Sequence, residues 1–278
     1  MPPQASSSNL RPACALKWRR RVLISRMRGF TLAELLVVMA LMSLMAMFLG
    51  PAVTSFKSNG DFSSAMYKIA GILQEARTYA VANNTYVFVG IAELDAANTA
   101  FPQTPASASA GGRVALAAFV SRDGTSVYDI YALTHWTANY GKGELLTSLG
   151  KVAAFENLHL GDFGTPPSSG AMARPAVASD YSLGNDECTS STPFAYPPGT
   201  ALSGGYKYLF NKVVVFGPQG SARIISDNNG DAVPNVIELG IQPTHGNRVP
   251  AVPTDPSKGN LAVIQVTGAT GSVKIYQP

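Results

Sequence analysis

"RMRGFTLAELLVVMALMSLMAMFLGP", residues 26–51, places one carboxylate, Glu34, at the head of a run that is apolar from Leu35 to Gly50 except for Ser43. A carboxylate there is costly in a bilayer and awkward in a soluble core, so it needs a partner. Phe30 to Gly50 is 21 residues, roughly 31 Å of helix at ~1.5 Å per residue, which matches a hydrocarbon core of about 30 Å. The run is longer than the apolar part of a secretory signal and reaches Pro51 without an A-x-A cleavage site, so a membrane-spanning helix is expected. Seven basic residues and no acid precede it (Arg11, Lys17, Arg19, Arg20, Arg21, Arg26, Arg28), and only Lys57 follows closely. That asymmetry puts the N-terminus in the cytoplasm and the body outside it.

The rest of the chain has the opposite charge balance. Of 278 residues, 21 are basic and 17 acidic; without the first 29 the balance is 14 to 17, or −3. A general nucleic-acid surface on the body is therefore not expected. Apolar residues make up 46%, enough for a sizeable core. Of the two cysteines, Cys14 lies in the basic tail and Cys188 in the body, so removal of the tail leaves no intramolecular disulfide.

The stretch "RGFTLAELLVVMALM" resembles the N-terminal signature of type IV pilins and of the pseudopilins of type II secretion. In that family a prepilin peptidase cuts after the glycine, the new N-terminal phenylalanine is N-methylated, and a glutamate stands fifth and a proline often twenty-second. The resemblance implies cleavage between Gly29 and Phe30, methylation of Phe30, an assembly role for Glu34, and Pro51 at the proline position. The leader, at 29 residues, is longer than the shortest in the family. The partners it implies are the peptidase, other pilin or pseudopilin subunits, and a pilus or secretion assembly platform in the cytoplasmic membrane. It also implies a partner for Glu34: the N-terminal amine of a neighbouring subunit, with which the carboxylate would neutralise in a low-dielectric bundle. The local alternative is a helix-start carboxylate favoured by the helix dipole.

Beyond Pro51, which should loosen the helix, "KSNGD" (residues 57–61) is a second weak point. Phe62, Met66, Ile69, Leu73, Ala76 and Ala80 then recur at spacings of four and three, the stripe of an amphipathic helix over residues 51–84, stopping at "ANN" (82–84). From residue 85 onward the pattern is strand-like. Thr85–Ile91, Arg113–Val120, Ser126–Leu133 and Lys151–Leu160 read as strands, with a hairpin at "SRDGT". "YKYLFNKVVVFGPQGSARIIS" reads as two strands around Gly217–Gly220, and "NLAVIQVTGATGSVKIYQ" as a closing hairpin near Gly268–Gly271. The fold class predicted is α+β, a long N-terminal helix on an antiparallel sheet. The last two segments resemble, more weakly, the end of H-type minor pseudopilins, and large pilin-like cassette proteins fit about as well. Two long loops are expected, at 92–112 and at 161–205; the second has six Pro and seven Gly in 45 residues.

Chemistry is sparse. His135, His159 and His245 lack metal spacing, and there is no Gly-x-Ser-x-Gly, phosphate-cradling loop or Cys-x-x-Cys. No enzymatic activity and no required cofactor are expected. One stretch, "DNNGDAVPNVIE", spaces Asp227, Asn229, Asp231, Asn235 and Glu238 like the oxygen ligands of a twelve-residue calcium loop. Ala232 stands where the sharp turn wants glycine, and Pro234 is also unfavourable; the competing reading is a polar turn between strands. The reading that unites these features is a pilin-like structural subunit, periplasmic or extracytoplasmic in its body and assembled into a filament. Its rival is a membrane-anchored extracytoplasmic binding domain that never polymerises.

Overall fold

The computed structural model describes residues 31–107, 110–126, 146–190, 193–198, 205–226, 232–251 and 259–278, without the side chains of 46–59 and 194. The chain divides into two compact units, Met1–Thr54 and Ser55–Pro278. Helix α1, Leu32–Ala82, contributes to both, so neither Pro51 nor the Lys57–Asp61 stretch ends it. It stops where expected: Asn84 takes a left-handed φ of 50°, and Thr85 N–H donates to the Ala80 carbonyl at 3.0 Å, which satisfies a carbonyl the last turn would leave open.

The strands follow as β1 (Val87–Asp95), β2 (Gly112–Ser121), β3 (Leu146–Ser148), β4 (Ala153–Glu156), β5 (Leu158–Gly161), β6 (Phe194–Tyr196), β7 (Tyr208–Phe210), β8 (Lys212–Phe216), β9 (Ala222–Ile225), β10 (Val236–Pro243), β11 (Ala262–Thr267) and β12 (Val273–Tyr276). They make two main antiparallel sheets where one was expected. The first has the order β3-β2-β1-β8-β9 with β4 also on β2, the second the order β12-β11-β10-β5, and β6 and β7 form a separate ribbon.

The first sheet is buried on both faces, which is why its strands read as near-continuous apolar runs. Val89, Ile91, Val114, Leu116, Val214 and Phe216 share one core with the helix stripe Phe62, Met66, Ile69, Leu73, Ala76 and Ala80. The alternate residues Phe88, Ala115, Ala117, Phe119, Val213 and Val215 pack with Phe210 of the ribbon. Gly90 makes room for that contact, since a Cβ there would stand 2.9 Å from the Phe210 side chain. The second sheet adds Leu158, Leu160, Ile237, Leu239, Ile241, Ile264 and Val266 to the helix core. The closing hairpin also ties back to the helix, as Arg77 Nε donates to the Thr270 carbonyl at 2.6 Å.

Four further expectations change. The stretch 206–216, expected as one strand before the Gly217–Gly220 turn, is two: β7 pairs with β6 in the ribbon, while β8 pairs with β1 and β9 in the first sheet. Lys151–Leu160 is two strands rather than one: β4 pairs with β2, β5 pairs with β10, and Asn157 between them turns the chain at φ 59°, a left-handed conformation that asparagine tolerates. The stretch 161–205 is no bare loop, because Phe163 and Met172 pack on Val263 and Tyr276 of the second sheet, and 3-10 turns form at Ser179–Tyr181 and Asp186–Cys188. Between β1 and β2 the connection is shorter than 92–112, since β1 continues to Asp95 and β2 begins at Gly112. The hairpin partner expected at Ser126–Leu133 lies, after Ser126, outside the described residues.

Candidate functional site

The head of α1 is a capping box. Thr31 precedes the first helical residue, and its Oγ1 accepts from Glu34 N–H at 3.2 Å. Glu34 Oε2 reaches back to accept from Thr31 N–H at 2.9 Å and from the Thr31 hydroxyl at 3.0 Å. The threonine and the glutamate three residues on thereby satisfy each other's open amides, two of the donors a helix start leaves without partners. The carboxylate that the sequence left in search of a partner has one within its own chain.

Behind this cap the helix is apolar on all sides. Every leucine, valine and methionine from Leu32 to Met45 is exposed, with Leu32 at 80%, Leu36 at 61% and Met42 at 67%. The one polar side chain between Leu35 and Met45, Ser43, turns its hydroxyl back onto the Met39 carbonyl at 2.8 Å, which removes it from competition for solvent. Among the described residues no helix is long and apolar enough to cross a membrane, and residues 46–50 of the expected span have no described side chains. Gly29 and Phe30 lie outside the described residues, as does the side chain of Pro51.

The calcium spacing loses its twelfth position. Glu238 is 1% exposed on β10, and its two oxygens accept from Arg174 Nη2 and Nε, both at 2.8 Å. Gln265, its register partner on β11, donates to Oε2 at 2.8 Å. A bidentate guanidinium fork and an amide leave that carboxylate committed inside the protein. Glu238 belongs to strand β10 rather than to a loop over residues 227–238, and this strand is not among those expected from the sequence. The signal was there: Val236–Pro243 is apolar on both faces save Glu238 and Gln242. Asp227, Asn229 and Asp231 lie outside the described residues, and no group of three metal-ligating acids, histidines or cysteines occurs among those described.

Several other titratable groups of the body bind one another or the backbone. Glu93 on β1 accepts from Gly112 N–H at 3.1 Å and Leu160 N–H at 3.0 Å, and meets His159 Nδ1 at 2.8 Å. It thus joins the first sheet to the second. Lys212 is buried and donates to the Leu183 and Asn185 carbonyls, both at 2.7 Å; burial holds its pKa below the ordinary lysine value. Cys188 is buried, with its Sγ 2.8 Å from the Asp180 carbonyl oxygen, and burial pushes its thiol up to about 12. A thiol so protonated and enclosed is a poor nucleophile. His135 lies outside the described residues, and the backbone of His245 forms an isolated antiparallel β-bridge with that of Arg248.

Comparison with known families places one match on the chain: residues 24–50 carry the prokaryotic N-terminal methylation motif. Gly29, Phe30, Glu34 and the capped apolar helix head all fall inside it. It is the signature of type IV pilins and pseudopilins, so the chain is pilin-like at its N-terminus and points to a structural rather than a catalytic protein. Comparison with curated proteins and with solved structures gives no match.

Proposed function

We propose that this protein is a structural subunit of a type IV pilus or a type II secretion pseudopilus. A prepilin peptidase removes the leader after Gly29, Phe30 is methylated, and the apolar helix head holds the subunit in the cytoplasmic membrane with its body outside. An assembly platform then draws it into a helical filament with other subunits. The observation that carries this reading is the methylation motif in register on a helix head whose apolar side chains are exposed on every side. Burying such a surface is strongly favourable at about 25 cal/mol per Å², and lipid or a bundle of neighbouring helices can do so. No cofactor is needed for this role.

The test is intact mass and N-terminal sequencing of the protein from membranes of cells with active prepilin peptidase. The chain is expected to begin at a methylated Phe30, and Gly29→Leu to leave full-length precursor. A wild-type chain that keeps its leader overturns the proposal. A second reading, a membrane-anchored domain that does not polymerise, draws support from the Thr31–Glu34 box, since a carboxylate with a partner in its own chain has no need of a neighbour's amine.

A further inference from the structure

We draw no further inference here: the strongest candidate, the polar cleft of about 300 Å³ in the body where Glu93 Oε1 meets His159 Nδ1 at 2.8 Å beside Asp162 and Asp186, carries nothing, because no group of three metal-ligating side chains occurs among the described residues and nothing in the structure shows what would fill it.

Discussion

The two ends of α1 contrast sharply. From Leu32 to Met45 the helix shows apolar side chains on every face and all the large ones are exposed; from Phe62 to Ala80 the apolar stripe is buried, no member of it more than 5% exposed. The second stretch is a helix that its own chain completes, with its partners on both sheets. The first has no such apolar partner among the described residues. The polar groups divide the same way. Among the described residues Glu34 at the exposed end is met by its helix neighbour Thr31, while Glu238 in the body is met by Arg174, 64 residues away, and by Gln265 across the ladder. An unfinished surface and a finished one thus lie on one helix, and only the unfinished one coincides with the methylation motif.

The sharpest way to break this contrast is at Glu34. Glu34→Leu is expected to insert and be processed as wild type, because removing a charge eases insertion, and to lose co-assembly almost completely in a cross-linking assay. Thr31→Val, which keeps the carboxylate but removes the cap, is expected to keep assembly. If both variants assemble like wild type, Glu34 serves only the helix start and the non-polymerising anchor becomes the better reading.

In the body the largest effect is expected from Arg174→Ala. It strands the Glu238 carboxylate in a site where both partners are almost wholly enclosed, at a cost of ~3–5 kcal/mol. Chemical denaturation of the solubilised protein measures it, and a loss below about 1 kcal/mol, the scale of an exposed pair, would mean that Arg174 does not hold its segment to the second sheet. Next comes a matched pair on the helix. Leu73→Ala, at 1% exposure, should cost ~2–5 kcal/mol from lost burial and the cavity left behind. Leu36→Ala should change the stability of the body by no more than ~0.5 kcal/mol. Equal costs would erase the distinction between the two ends.

The smallest effect is a pH dependence. The Cys188 thiol is raised from 9.0 to about 12 by burial, so between those values the folded chain keeps a proton that the unfolded chain releases. Stability from this group is therefore present below pH 9 and falls as pH rises toward 12, by at most ~1.4 kcal/mol per pH unit. Lys212, lowered by burial from 10.5, acts in the other direction, because below 10.5 the unfolded chain binds more protons. Thermal melts of Cys188→Ala against wild type isolate the thiol: the wild type should lose stability relative to the variant as pH climbs from 9. Parallel curves would place Cys188 in contact with water.

The sequence by itself determined the features that rest on neighbouring residues. The methylation motif, the stripe from Phe62 to Ala80, the stop at Asn84 and the β8–β9 and β11–β12 hairpins each depend on spacings within a few residues or on a short turn, where periodicity and turn chemistry act directly. Only the tertiary structure decided what depends on distant partners. It split Lys151–Leu160 at Asn157 because β2 claims one half and β10 the other. It made a strand of Val236–Pro243 and turned Glu238 from a loop ligand into the anchor of Arg174. It also folded the Pro- and Gly-rich 161–205 stretch onto a sheet through Phe163 and Met172. In each case burial and hydrogen-bond satisfaction against residues tens of positions away outweigh local preference, because a buried polar group costs more unpaired than any propensity can return.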